Sequence, residues 1–141
     1  QSMIETLKIK LLDGMHANTD WECMLEIPVD HSLDELHQAI LNAVGFENDH
    51  LFEFAIGNTY YSRSVLRISY DDEKISQETV DSILPQVKGK KLFYMFDYGD
   101  SWLFQISKSR KKRFQENVNT FYPRVSLESG IKPEQYPDWD E

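Results

Sequence analysis

Leu92-Phe93-Tyr94-Met95-Phe96-Asp97-Tyr98-Gly99-Asp100-Ser101-Trp102-Leu103-Phe104-Gln105-Ile106 is the stretch that decides how this chain is read. Two apolar, aromatic-rich runs flank a short polar segment that contains a glycine, the pattern of a β-hairpin. With Tyr98-Gly99 as a two-residue turn, Asp97 stands opposite Asp100, Met95 opposite Trp102 and Phe93 opposite Phe104, and these six side chains share one sheet face. Like charges directly opposite one another are destabilising. Such a pair requires a bound cation, a shared proton, a nearby Lys or Arg, or a different turn. The plainer reading is that Asp97 or Asp100 accepts backbone amides of the turn itself, a frequent role of Asp. Trp102 and Phe104 read as core.

On the N-terminal side, Leu7-Lys8-Ile9-Lys10-Leu11 alternates apolar and charged residues, which predicts a half-buried strand. Asp13-Gly14 breaks it. Trp21, Cys23, Leu25 and Ile27 then fall on one face of a second strand that Pro28 ends, giving an antiparallel hairpin with a polar tip. Ser32-Leu33-Asp34-Glu35 fits a capping box. Leu33, Leu36, Ile40 and Val44 follow at helical spacing and Gly45 suits the left-handed C-terminal position, so a helix is expected over Leu33–Val44. Leu51-Phe52-Glu53-Phe54-Ala55-Ile56 reads as a strand, with Gly57-Asn58 as a hairpin turn into Thr59-Tyr60-Tyr61. Val65-Leu66-Arg67-Ile68 is a short strand or an ordered loop. Asp71-Asp72-Glu73-Lys74 is a solvated acidic turn, and Thr79, Val80, Ile83 and Leu84 mark a short helix before Pro85.

Beyond the opening stretch, Lys108-Ser109-Arg110-Lys111-Lys112-Arg113 is a basic run in an acidic protein. A lysine-protected edge strand is its ordinary explanation; docking of an acidic partner, or of the chain's own acidic tail, comes next. From Asn117 onward the pattern is irregular. The fold class that follows is α+β: a mixed, mainly antiparallel sheet with one main helix packed on a face, a β-grasp-like start plus an added hairpin. Residues 3–125 are expected to form a single domain and residues 126–141 an irregular, loosely held acidic tail.

Composition narrows the function. The net charge of −9 disfavours a general phosphate-backbone binder. A lone cysteine, Cys23, leaves no internal disulfide and no multi-cysteine zinc site, and it reads as buried and inert. No apolar run approaches the roughly 18 residues of a membrane span, and no signal segment opens the chain, so the cytoplasm is the expected location. His16, His31, His37 and His50 show no H-E-x-x-H or H-x-H spacing. His37 borders the apolar stripe of the helix, and His50 precedes a strand. Ser101 lacks a G-x-S-x-G elbow. No glycine-rich phosphate loop or dinucleotide fingerprint is present, and no cofactor is expected.

Three stretches resemble the plasmid pRiA4b ORF-three-like family, small bacterial and archaeal proteins without an established biochemical function. Phe93-Tyr94-Met95-Phe96-Asp97-Tyr98-Gly99-Asp100-Ser101-Trp102 is similar to its Y-x-Y-D-F-G-D-x-W signature. Leu33-Asp34-Glu35-Leu36-His37-Gln38-Ala39-Ile40 and His50-Leu51-Phe52-Glu53-Phe54 resemble its D-L-H-x-x-I helix and H-L-x-x-F strand. Trp21 with Pro28 resembles its opening W-R-R-x-x-x-P element. Glu22-Cys23 stands where the family has a basic pair, Phe104 where it has a histidine, and its C-terminal motif survives faintly around Gly130, Pro133 and Glu134. The resemblance links some relatives with mobile elements.

The reading favours a non-catalytic binding or adaptor module, its surface formed by the aromatic hairpin 92–106 and the neighbouring helix face. Asp97, Tyr98, Asp100, Ser101, Trp102, His37 and His50 are its candidate residues, and its partner is an unidentified protein or small molecule, not a membrane. The alternative is a metal-dependent hydrolase in which Asp97 and Asp100 act with His37 or His50. A nucleic-acid accessory role for the basic run ranks last.

Overall fold

The computed structural model describes residues 2–138; Trp139, Asp140 and Glu141, the end of the expected tail, lie outside the described residues. The strands are β1 (Met3–Asp13), β2 (Trp21–Pro28), β3 (Phe52–Gly57), β4 (Leu66–Ser69), β5 (Lys91–Phe96), β6 (Trp102–Lys108), β7 (Phe114–Gln115) and β8 (Arg124–Gly130). They form one sheet in the order β4-β3-β5-β6-β1-β2-β8, with β7 against β1. The class is α+β, as the sequence predicts. Each named ladder is antiparallel. The strand, strand, helix, strand opening is present without the parallel pairing of a mixed sheet.

Helix α1 (Leu33–Val44) lies on one sheet face and starts and stops where the sequence predicts. Ser32 and Glu35 complete the capping box, and Gly45 closes the helix at φ 84°, a left-handed conformation that costs glycine nothing. Leu33, Leu36, Ile40 and Val44 are buried against Leu7, Ile9, Leu25, Tyr94, Phe96 and Trp102. Each fully buried side chain of this size contributes about 1.5–3 kcal/mol.

The hairpin β5–β6 pairs Phe96 with Trp102, Tyr94 with Phe104 and Leu92 with Ile106. Its loop is thus residues 97–101, and not a two-residue Tyr98-Gly99 turn. The difference shifts the register by one residue and reverses which β5 side chains face inward beside Trp102 and Phe104. Tyr94, Phe96, Trp102 and Phe104 enter the helix-side core, whereas Phe93, Met95 and Leu103 face the other side.

That second face needs cover, and the β3–β4 connection supplies it. The expected tight turn at Gly57-Asn58 is absent: Thr59-Tyr60-Tyr61 is not a strand, and β3 pairs with β4 across a loop. Tyr60 folds back onto Phe93, Met95 and Leu103, and its hydroxyl donates to Glu53 at 2.6 Å. Arg67 reaches the same carboxylate at 2.6 Å and stacks 4.5 Å over the Tyr60 ring. The acidic turn 71–74 leads directly into a one-turn helix, α2 (Lys74–Gln77), which buries Ile75. Helix α3 (Val80–Val87) continues through Pro85 and does not stop before it. Pro85 lies in its final turns, where only the bond to the Asp81 carbonyl is lost.

Two further expectations change. Residues 126–130, the start of the expected tail, are not irregular but belong to an edge strand, since β8 pairs with β2 from Glu26↔Arg124 to Trp21↔Gly130. The Trp21 indole donates to Glu128 at 2.7 Å across that pairing. Nor is the basic run an edge strand; the sheet's edges are β4 and β8. It turns back at the end of β6 and neutralises carboxylates that the strand pattern buries. Arg113 donates to Glu5 at 2.8 Å and to Asp81 at 2.7 Å, and Lys111 contacts Glu26 at 3.2 Å. Glu5 is fully buried and Glu26 is 2% exposed. Removing one partner of a buried pair leaves an uncompensated charge. Arg113→Ala should therefore cost about 3 kcal/mol at pH 7, and adding Glu5→Gln should recover more than half of that loss, both read from urea unfolding.

Candidate functional site

Antiparallel pairing brings the ends of six strands to one end of the sheet. The connections 14–20, 45–51 and 97–101 and the C-terminal segment 131–138 meet there. The Met15 amide donates to the Asp100 carbonyl at 2.8 Å, the Asp97 amide to the Leu51 carbonyl at 2.8 Å, and the Ile131 amide to the Asp20 carbonyl at 2.9 Å. Gln135, buried, acts as a surrogate strand: its carbonyl accepts from the Glu47 amide at 2.7 Å and its NH₂ donates to the Glu47 carbonyl at 3.2 Å. Residues 131–138 are therefore docked rather than loosely held. Gly14 lets the first loop lie on Trp102; a Cβ there would stand 2.8 Å from the indole ring.

Asp97 organises the hairpin loop. It adopts φ 65°, a left-handed conformation that Asp tolerates better than most residues, and Ser101 adopts φ 55°. The Asp97 Oδ1 accepts from the Gly99 amide at 3.0 Å and from the Asp100 amide at 3.3 Å. This is the turn-capping role. Its other oxygen faces His50, whose Nε2 lies 3.4 Å from Oδ2. The same nitrogen is 2.8 Å from the Tyr136 hydroxyl and 3.9 Å from Asp49 Oδ1. The Tyr136 hydroxyl in turn donates to Asp49 Oδ2. Desolvation, the hydrogen bond to Asp49 and the charges of Asp49, Asp97 and Asp100 push the Tyr136 phenol well above its usual range, so it remains a donor. On the other side of the loop, Asp100 Oδ2 lies 3.7 Å from His16 Nε2, and the His16 ring leans over Trp102 at 6.4 Å.

Of the residues singled out in the sequence, Asp97, Asp100 and His50 share this end. The side chains of the others are engaged away from these histidine–carboxylate contacts. Tyr98 is 46% exposed but turns its hydroxyl to the Phe52 carbonyl at 3.2 Å and to Glu53 at 3.0 Å. Ser101 donates to the Tyr98 carbonyl at 3.1 Å. Trp102 is fully buried against Phe46, at 4.8 Å between rings. His37 is no boundary residue: it is 2% exposed, stacks on Phe52 at 3.6 Å, and bonds the Tyr94 hydroxyl and, at 3.1 Å, Asn48. Burial lowers its pKa to about 4. Cys23 is buried, and its thiol is pushed up to about 12 by that burial. The facing of Asp97 and Asp100 does not occur; one carboxylate turns to His50, the other to His16. Among the described residues no group of three or more His, Cys, Asp and Glu side chains is arranged to hold a metal ion.

His16, Asp49, Gln135 and Tyr136 are the members that the sequence did not single out for the site. His16 was visible only as an unassigned histidine in a polar tip, and the Gln135-Tyr136 pair sits among prolines with no periodicity. Beside the network, residues 15–19 and the segment from Ile131 to Asp138 enclose a cavity of about 570 Å³.

The family model described as plasmid pRiA4b ORF-3-like protein matches residues 5–135, from the buried Glu5 of β1 to the buried Gln135. The chain belongs to that family. The match thus takes in β8 and most of the docked C-terminal segment, as well as the hairpin that carries the resemblance. Among solved structures, a protein of unknown function from Methanosarcina mazei Go1 is similar at 18% identity and a TM-score of 0.69, over 90% of this chain and 69% of that one. At that identity the likeness is one of fold. No curated protein matches. No helix among the described residues is long and apolar enough to cross a membrane.

Two outcomes follow. A histidine whose folded pKa is depressed from 6.5 to about 4 contributes stability that is complete above pH 6.5 and is lost as the pH falls toward 4. Between pH 7 and pH 5 the parent should therefore lose about 2 kcal/mol more than His37→Gln, read from urea unfolding at each pH. At the loop, Asp97→Ala removes both the amide acceptor and a residue tolerant of positive φ, for a loss of about 2 kcal/mol. Asp97→Asn, which retains both, should lose less than half as much in the same assay.

Proposed function

We propose that the chain is a non-catalytic binding module whose ligand-contacting end is the loop cluster, not the aromatic faces of the hairpin. The carrying observation is the gathering of His50, Asp97, Asp49 and Tyr136 on one side of the hairpin loop, and of His16 and Asp100 on the other, where His16 joins Lys132, Glu134 and Asp138 in lining the 570 Å³ cavity. A cavity of that size lies in the range that holds small molecules. The strand aromatics of the hairpin expected to form the partner surface are in the core, so they set the loop's position and do not meet a ligand. The lining carboxylates Glu134 and Asp138 favour a ligand rich in hydrogen-bond donors or carrying a positive charge. No nucleophile accompanies the histidines: Ser101 is engaged by its own turn and Cys23 is buried as a neutral thiol. That argues against a side-chain nucleophile, whereas a metal-dependent hydrolase would use a metal-bound water and is separated by the metal titration.

The test is a library of small amines, amides and sugars followed by ¹H–¹⁵N correlation spectra. Binders should shift amides of residues 14–20 and 131–138, and Glu134→Ala should weaken them roughly tenfold, the loss of one charge-assisted bond. Binders confined to other surfaces, or none, would overturn the proposal. A melting-temperature rise with Mg, Mn, Zn or Ca that Asp97→Asn abolishes would favour the metal-dependent hydrolase in its place.

A further inference from the structure

A second cavity, of about 490 Å³, lies at the other end of β6 from the hairpin loop, on the sheet face away from α1. Its lining holds Lys8, Lys108, Arg110 and Lys111 around Met24 and Leu127, and no carboxylate. In a chain of net charge −9, this is a local inversion of sign. Three of the cations are already ion-paired with carboxylates outside the lining: Lys8 with Glu22 at 3.0 Å, Lys111 with Glu26 at 3.2 Å, and Lys108 3.9 Å from Glu5. Among the described ion pairs Arg110 has none. The floor is apolar. Leu127 is 63% exposed on the edge strand and stands in register with the half-buried Met24. Thr6, only 3% exposed, also lines the trough, and its hydroxyl has no hydrogen-bond partner.

We infer that this trough binds an amphiphilic organic anion, a small molecule with one carboxylate or sulfonate head and an alkyl or aryl body. Each part of that ligand answers one feature. The body covers Met24 and Leu127, which otherwise hold apolar area against water. The head meets Arg110, whose planar fork pairs with a carboxylate through two bonds, and the unpartnered Thr6 hydroxyl adds a donor beneath it. An inorganic anion would leave the floor wet, and an uncharged chain would leave Arg110 without a counter-charge. A concave site of this size encloses a small molecule and does not match the plane of a lipid surface. The inference is independent of the loop-cluster reading.

The experiment displaces the fluorescent probe 8-anilinonaphthalene-1-sulfonate with octanoate at low ionic strength, with acetate and octanol as controls. Octanoate should displace the probe, acetate and octanol should not, and Arg110→Glu and Leu127→Asp should each weaken octanoate roughly tenfold or more. Both positions are exposed, and far-UV circular dichroism verifies that the variants fold; if Leu127→Asp does not, Arg110→Glu decides alone. Amide shifts on octanoate binding should fall on Lys8, Ser109 and Leu127. Failure of octanoate to displace the probe, equal displacement by octanol, unchanged binding by the folded variants, or shifts confined to residues 14–20 and 131–138 would each overturn the inference.

Discussion

The register of the β5–β6 hairpin is the constraint on which the rest of the molecule depends. Asp97 in a left-handed conformation, with its carboxylate on the Gly99 and Asp100 amides, makes a five-residue loop the stable closure. Strand side chains alternate between faces, so one residue more or less in that loop changes which β5 side chains share a face with Trp102 and Phe104. With the loop as it is, Tyr94, Phe96, Trp102 and Phe104 meet α1, and Tyr94 stands where the neutral His37 can bond it. The same register exposes Phe93, Met95 and Leu103 on the second face, and the Tyr60 loop closes over them. Trp102 then supports the Gly14 loop, and Asp97 receives His50.

Local signals were legible. The Ser32–Glu35 capping box with its apolar stripe and Gly45 located α1 to the residue, and apolar alternation located β1 and β2. The position of the β5–β6 hairpin was legible too, but its register was not, because Asp97-Tyr98-Gly99-Asp100-Ser101 accommodates both a two-residue and a five-residue closure. The conflict of facing carboxylates was itself the clue: a different turn was one of the ways to relieve it, and that is the way the chain takes. β8 was missed because an edge strand with one face in water carries little apolar pattern, and its prolines lie on either side. Gly57-Asn58 read as a turn because nothing local shows that a second face needs a cover.

The candidate site was half legible for the same reason. Asp97, Asp100 and His50 are marked by chemistry and local sequence, whereas Gln135 and Tyr136 join the cluster only through contacts spanning more than eighty residues. The basic run shows a related limit. Its charge density is visible in one dimension, but Glu5 and Glu26, which use much of it, become buried only when β1 and β2 occupy the middle of the sheet. A run that suggests a partner for acids is first of all the internal counter-charge of two strand carboxylates, and among the described ion pairs Arg110 and Lys112 take no part.

Cross-strand nuclear Overhauser contacts in the hairpin test the register directly. The account predicts contacts between the backbone protons of Phe96 and Trp102 and of Tyr94 and Phe104, with ring contacts from both pairs to α1. Contacts pairing Met95 with Trp102 and Phe93 with Phe104 would contradict it: they would mean a two-residue turn, with Asp97 set against Asp100 and no reason for His50 to find it.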